Sequence, residues 1–150
     1  MSEDRSPLAG IAGLSLIVLS GELARVHYAL SMAAAALAID RPAILFFTNR
    51  ALHALTRGDA ARPGWHRLEG DAAGRSAALQ DGDLRAKGVA GFAELLDACV
   101  ELGVRVIACE MGLRAVALTP ADLRPDIKAE IAGLVTLYAG TTASSQLVVI

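Results

Sequence analysis

The sequence predicts an α/β protein: a single-domain, three-layer α/β/α arrangement around a mainly parallel five-stranded sheet. Three observations carry that prediction. Short apolar runs alternate with helix-length stretches, as in repeated βαβ units. The runs are apolar throughout, as expected of strands covered on both faces. Glycine, proline or a small polar residue stands at most of the joints.

The elements follow in order. Leu14–Leu19 is too short for a helix and meets Ser20-Gly21 at once, so it reads as a buried strand. Glu22–Ile39 reads as a helix of about five turns, with Ser20 or Gly21 as its cap and Asp40-Arg41-Pro42 as its stop. Ala43–Phe47 is a second strand, and Thr48 caps a short helix over Asn49–Thr56. Residues 57–88 break the rhythm. They hold six of the 14 glycines, eleven charged residues and Trp65, and read as a long mobile loop or insertion with one helical turn near Ala72–Leu79. From Val89, residues Phe92, Leu95, Leu96, Cys99 and Leu102 mark one face of a helix that Gly103 ends. Val104–Cys109 is a third strand and Met111–Ala117 a short helix. Pro120 opens a further turn at Thr119–Leu123. Ile131–Leu137 fits strand or helix, a helix runs through Ala143, and Leu147–Ile150 is a terminal strand.

Composition excludes several classes. With 54% hydrophobic and 20% charged residues the chain is not disordered. Fourteen basic against 16 acidic side chains leave a net charge of −2 and no electrostatic footprint for nucleic acid. Two cysteines cannot build a disulfide framework. The apolar run Ala29–Ile39 is too short to span a membrane. Leu8–Leu19 follows Glu3, Asp4 and Arg5, which is not the start of a secretory leader. A cytoplasmic protein is expected.

In an open parallel sheet, ligands gather beyond the carboxyl ends of the strands. Those ends are Ser20-Gly21-Glu22, Thr48-Asn49-Arg50 and Cys109-Glu110-Met111-Gly112. Cys109 is the strongest nucleophile among them. It precedes a helix, whose free amides and dipole favour a thiolate. Glu110 opposes that effect and Arg114 offsets it. The competing reading is a small buried hydrophobe at a strand end. Gly21, His27, Asn49, Met111, Gly112 and Arg114 are the candidate binding residues. His27 follows the first strand and is expected near Cys109 if those strands are neighbours; a solvent or interface histidine is the alternative. Cys99 belongs to the apolar stripe of its helix and reads as core. His53 and His66 have no ligand partners at metal spacing, so no metal is expected. Gly-x-Gly-x-x-Gly, Walker and Gly-x-Ser-x-Gly patterns are absent, so no cofactor is expected and a serine hydrolase is unsupported.

The glycine turn after the first strand, the helix Val26–Ile39 and the strand end Phe46-Phe47-Thr48 together resemble the DsrE/DsrF/DsrH-like family. So do Gly88–Leu96, the strand closing on Cys109-Glu-Met-Gly-Leu113, and Ala132–Thr136. The nearest resemblance is to the branch often labelled peroxiredoxin-like. It implies a five-stranded parallel domain assembled as a homo-oligomer, a trimer or hexamer. It also implies sulfur relay, in which a strand-end cysteine carries a persulfide between donor and acceptor proteins. Only Cys109 matches that cysteine. The sequence departs from the family pattern at Asn49, where an aromatic often follows the threonine, and at Ala51, where a glycine is usual. The alternative function is a non-catalytic oligomeric subunit that binds a small molecule or a protein, with Cys109 inert. An ordinary peroxidase is a weaker option, since no resolving cysteine is suitably placed.

Overall fold

The computed structural model describes residues 13–141 and 144–150. The first part of the Leu8–Leu19 run and the end of the helix expected through Ala143 lie outside them. The chain order is β1 (Leu14–Val18), α1 (Leu23–Ala38), β2 (Ala43–Phe47), 3₁₀ segments at Asn49–Leu55 and Gly64–Arg67, α2 (Ala77–Ala86), α3 (Phe92–Glu101) and β3 (Arg105–Cys109). Then come α4 (Glu110–Ala115), β4 (Glu130–Ala132), α5 (Leu134–Ala139) and β5 (Gln146–Val149). The ambiguous stretch at 131–137 thus divides into a strand end and a helix. All five strands are parallel, in the order β4-β3-β2-β1-β5.

Alternation along the strands sorts the sheet into two unequal faces. Leu16, Leu45 and Val106 are in register and point toward α1 and α3, together with Leu14, Val18, Phe47 and Ala108. This side holds most of the core. Alanines at 29, 33 and 36 belong to the buried stripe of α1, where small side chains let a helix lie close to a sheet. Ile17, Phe46 and Ile107 are in register on the opposite face, with Ile44 and Cys109. There the cover is thin: among the described residues Leu137 of α5 is the one fully buried side chain in that cluster that comes from outside the sheet. Leu147 and Val149 of β5, in register with Ser15 and Ile17, are 47% and 60% exposed.

Two local expectations change. Neither Ser20 nor Gly21 caps α1. Glu22 takes the cap position without a side-chain bond, and the Leu23 amide donates instead to the Glu69 carbonyl at 2.9 Å. The Glu69 amide in turn donates to Gly21 O at 2.7 Å, so a distant segment satisfies the helix start.

That segment belongs to 57–88, which is built rather than structureless. Its helix is α2, ten residues at Ala77–Ala86 instead of a turn at Ala72–Leu79, with Ser76 Oγ accepting from the Leu79 amide. Trp65 is buried and stacks on Phe92 with ring centroids 4.9 Å apart. Asp81, 4% exposed, accepts from the Phe92 amide at 2.7 Å and pairs with Arg85 at 3.2 Å. These long-range anchors leave no local apolar period, which is why the sequence pattern here resembles a loop.

Candidate functional site

Cys109 is the last residue of β3 and the cap residue of α4. Its Sγ accepts from the Gly112 amide at 3.4 Å, so the thiol occupies the position where a helix start leaves a donor unsatisfied. Gly112 must be small here. A Cβ would overlap Thr48 Oγ1 and stand 2.7 Å from the Asn49 amide, so glycine lets α4 seat against the end of β2.

The thiol is nevertheless enclosed. Cys109 is 2% exposed and packs with Phe46, Ile107 and Leu137, with Ile17, Ile44 and Ala132 around them. It lines none of the five surface clefts described among these residues. Met111 turns away, 67% exposed. Arg114 is exposed and makes no ion pair among the described residues. Glu110 is exposed as well.

Gly21 and Asn49 do come together. With Leu19, Arg50, Ala115 and Val116 they line a cleft of about 420 Å³ beyond the carboxyl ends of β1 and β2. Asn49 adopts a left-handed backbone (φ 49°), which asparagine tolerates better than most residues and which turns the chain into its 3₁₀ segment. Gly21 presses on Arg50, and Arg50 is ion-paired to Glu69.

His27 is placed elsewhere. It is 8% exposed, and its Nε2 lies 2.8 Å from the Ala90 carbonyl, tying α1 to the turn before α3. β1 and β3 are separated by β2, so the neighbourhood with Cys109 that sequence order suggests is not formed.

Cys99 lies in the core at 0% exposure, and its thiol donates to the Leu30 carbonyl at 3.4 Å. Burial pushes its pKa up to about 11. Among the described residues no cluster of histidine, cysteine and carboxylates could hold a metal ion, and no helix is long and apolar enough to cross a membrane.

The sequence reading missed Leu137 as the cover over Cys109. The available signal was the phase of Leu137 on a short helix directly after the β4 strand. The reading also missed Arg57, Arg62 and Arg67, although arginine recurs there at every fifth position.

The sequence profile of the DsrE/DsrF-like family matches residues 15–149. No curated protein matches the sequence. Among solved structures, the chain is similar in fold to a protein of unknown function, MTH1491, from Methanobacterium thermoautotrophicum. The TM-score is 0.56 at 14% identity, covering 93% of this chain and 99% of that one.

Proposed function

We propose, from the premise that the chain belongs to the DsrE/DsrF-like family, that it is a sulfur-relay protein with Cys109 as the carrying thiol. The family is generally linked to sulfur relay. The observation behind the reading is the strand-end Sγ that accepts from the Gly112 amide, which sets a backbone donor directly on the sulfur that would carry the load. In the first step the Cys109 thiolate attacks the outer sulfur of a donor persulfide. The new S–S bond forms at Cys109, the donor S–S bond breaks, and the donor leaves as a thiolate. In the second step an acceptor thiolate attacks the outer sulfur on Cys109 and restores the thiolate there. The persulfide anion rests against the amides at Met111 and Gly112, with Arg114 supplying positive charge. Gly21 and Asn49 line the cleft that receives the partner. Because Sγ is enclosed, exchange requires an opened state, and displacement of Leu137 with α5 would uncover the cluster that holds it. The working form is a cytoplasmic homo-oligomer.

A second reading has an observation of its own. The 2% exposure of Cys109 and its place among Phe46, Ile107 and Leu137 suit a non-catalytic subunit in which the thiol is packing. Mass spectrometry after incubation with a persulfide donor separates the two. The relay predicts one added sulfur on Cys109 in the native protein and none in Cys109→Ser. Loading seen only after unfolding supports the packing role and overturns the relay.

A further inference from the structure

We propose that the cleft between residues 57–67 and the start of α2 binds a small organic ester of a tetrahedral oxyanion, a phosphate or a sulfate. The site shares no residue with the strand-end cysteine and stands independently of its role.

The cleft encloses about 690 Å³, within the range of small-molecule sites and much larger than a bare oxyanion needs. Arg57, Arg62, Arg67 and His66 line it. None of the three arginines makes an ion pair among the described residues. Two are held in place by neutral acceptors. Arg57 Nε donates to the Leu123 carbonyl at 3.2 Å, and an Arg67 terminal nitrogen donates to Thr56 Oγ1 at 3.1 Å and to the Arg57 carbonyl at 3.3 Å. Their charge is positioned without a direct ion pair, and Asp122, a carboxylate outside the lining, feels both Arg67 and Arg57. The one carboxylate in the lining, Asp59, is turned to its own loop, with Oδ1 accepting from the amides of Ala61 and Arg62 at 2.9 and 2.7 Å.

Neighbouring groups register this positive field. Burial, then Arg67 and Arg50, push the His53 imidazole below its ordinary pKa. Hydrogen bonds from Thr119 lower the Asp122 carboxyl, and Arg67 and Arg57 lower it further. Guanidinium groups match tetrahedral oxyanions through paired N–H donors, and a concave site concentrates their field.

The remaining wall is suited to an organic body. Gly58, Pro63, Gly64 and Ala78 contribute it. The floor is fixed as well: Gly64 is buried against Thr56, where a Cβ would collide with the Thr56 carbonyl, and the adjoining Trp65 is stacked on Phe92. Such a pre-formed surface lowers the ordering cost of binding.

Isothermal titration calorimetry of the full chain tests the proposal, with phenyl phosphate and phenyl sulfate as probes and phenol as the uncharged control. Saturable binding of at least one ester and none of phenol is expected, and the stronger ester identifies the oxyanion. Arg62 is the cleanest variant, because its side chain makes no hydrogen bond or ion pair among the described residues. Arg62→Gln should weaken binding about tenfold or more without lowering the melting temperature, with Arg62→Lys in between. Failure of both esters to saturate overturns the proposal. So does an affinity unchanged in both Arg62→Gln and the double variant Arg57→Gln, Arg62→Gln.

Discussion

Gly112 and Cys109 meet through one amide and one sulfur, and Gly112 has no room for a side chain beside Thr48 and Asn49. Replacing Gly112 by alanine drives a methyl group into Thr48 and the Asn49 amide. The helix start must then lift from β2, at a cost of about 1–3 kcal/mol, the usual range for overpacking. Urea unfolding should show a lower midpoint with an unchanged slope. The two cysteines also differ in a way that solution chemistry can read. The Cys99 thiol is raised from an ordinary 9.0 to about 11 by burial, so the fold holds that proton more tightly than the unfolded chain does. The sign follows from linkage: below pH 9 both states keep the proton, and stability falls as pH climbs from about 9 toward about 11. Urea midpoints measured across that window should decline in the natural sequence and decline less in Cys99→Ala.

Helix α5 is short, but among the described residues it alone supplies a fully buried side chain from outside the sheet to the cluster on its side. Leu137 is fully buried, and Leu137→Ala should cost about 2–5 kcal/mol as a core truncation. The same change should raise the rate of Cys109 alkylation by iodoacetamide under native conditions, while Cys99 stays unlabelled. An unchanged Cys109 rate would show that access does not run past α5. Segment 57–88 depends on Asp81 in a similar way. Asp81→Ala leaves the Phe92 amide unsatisfied and Arg85 unpaired, for about 1–3 kcal/mol, and limited proteolysis should then cut within 57–88 before the rest of the chain.

These elements also show what could be read in advance. Four of the strands were legible as short continuous apolar runs, α1 by its alanine and leucine content and α3 by its apolar face, whereas β4 lay at the edge of a stretch that fitted strand or helix. Helix α2 was not, since its buried residues are Ala77 and Asp81, one small and one charged. The strand end bearing Cys109 was legible and its burial stood as one of two readings, but the side chain that closes over it was not, because that depends on which face α5 covers. His27 was misplaced for a comparable reason: its partner Ala90 lies 63 residues away, beyond any local pattern.

At the scale of the whole molecule the layers are unequal, with a deep core under α1 and α3 and a shallow one under α5. The exposed Leu147 and Val149 extend the shallow side to the sheet edge, and Val135 and Tyr138 add apolar surface at 83% and 55% exposure. Exposed apolar surface of this kind favours self-association. Light scattering should therefore give a multiple of 15.5 kDa, and Leu147→Lys with Val149→Lys should reduce it toward that single-chain mass. A natural sequence that already scatters as one chain would remove the homo-oligomer from the proposed function.

The pairing of β1 with β5 has a consequence for how the protein is made. Residues 14–18 leave the ribosome long before residues 146–149, yet those two strands lie side by side, and the Ile150 amide donates to the Ile17 carbonyl. One flank of β1 therefore keeps its hydrogen-bonding groups open through most of translation, as a template for any other extended segment nearby. A nascent chain stalled before residue 146 would present that flank indefinitely, and such truncated products should co-precipitate with chaperones far more than the completed protein does.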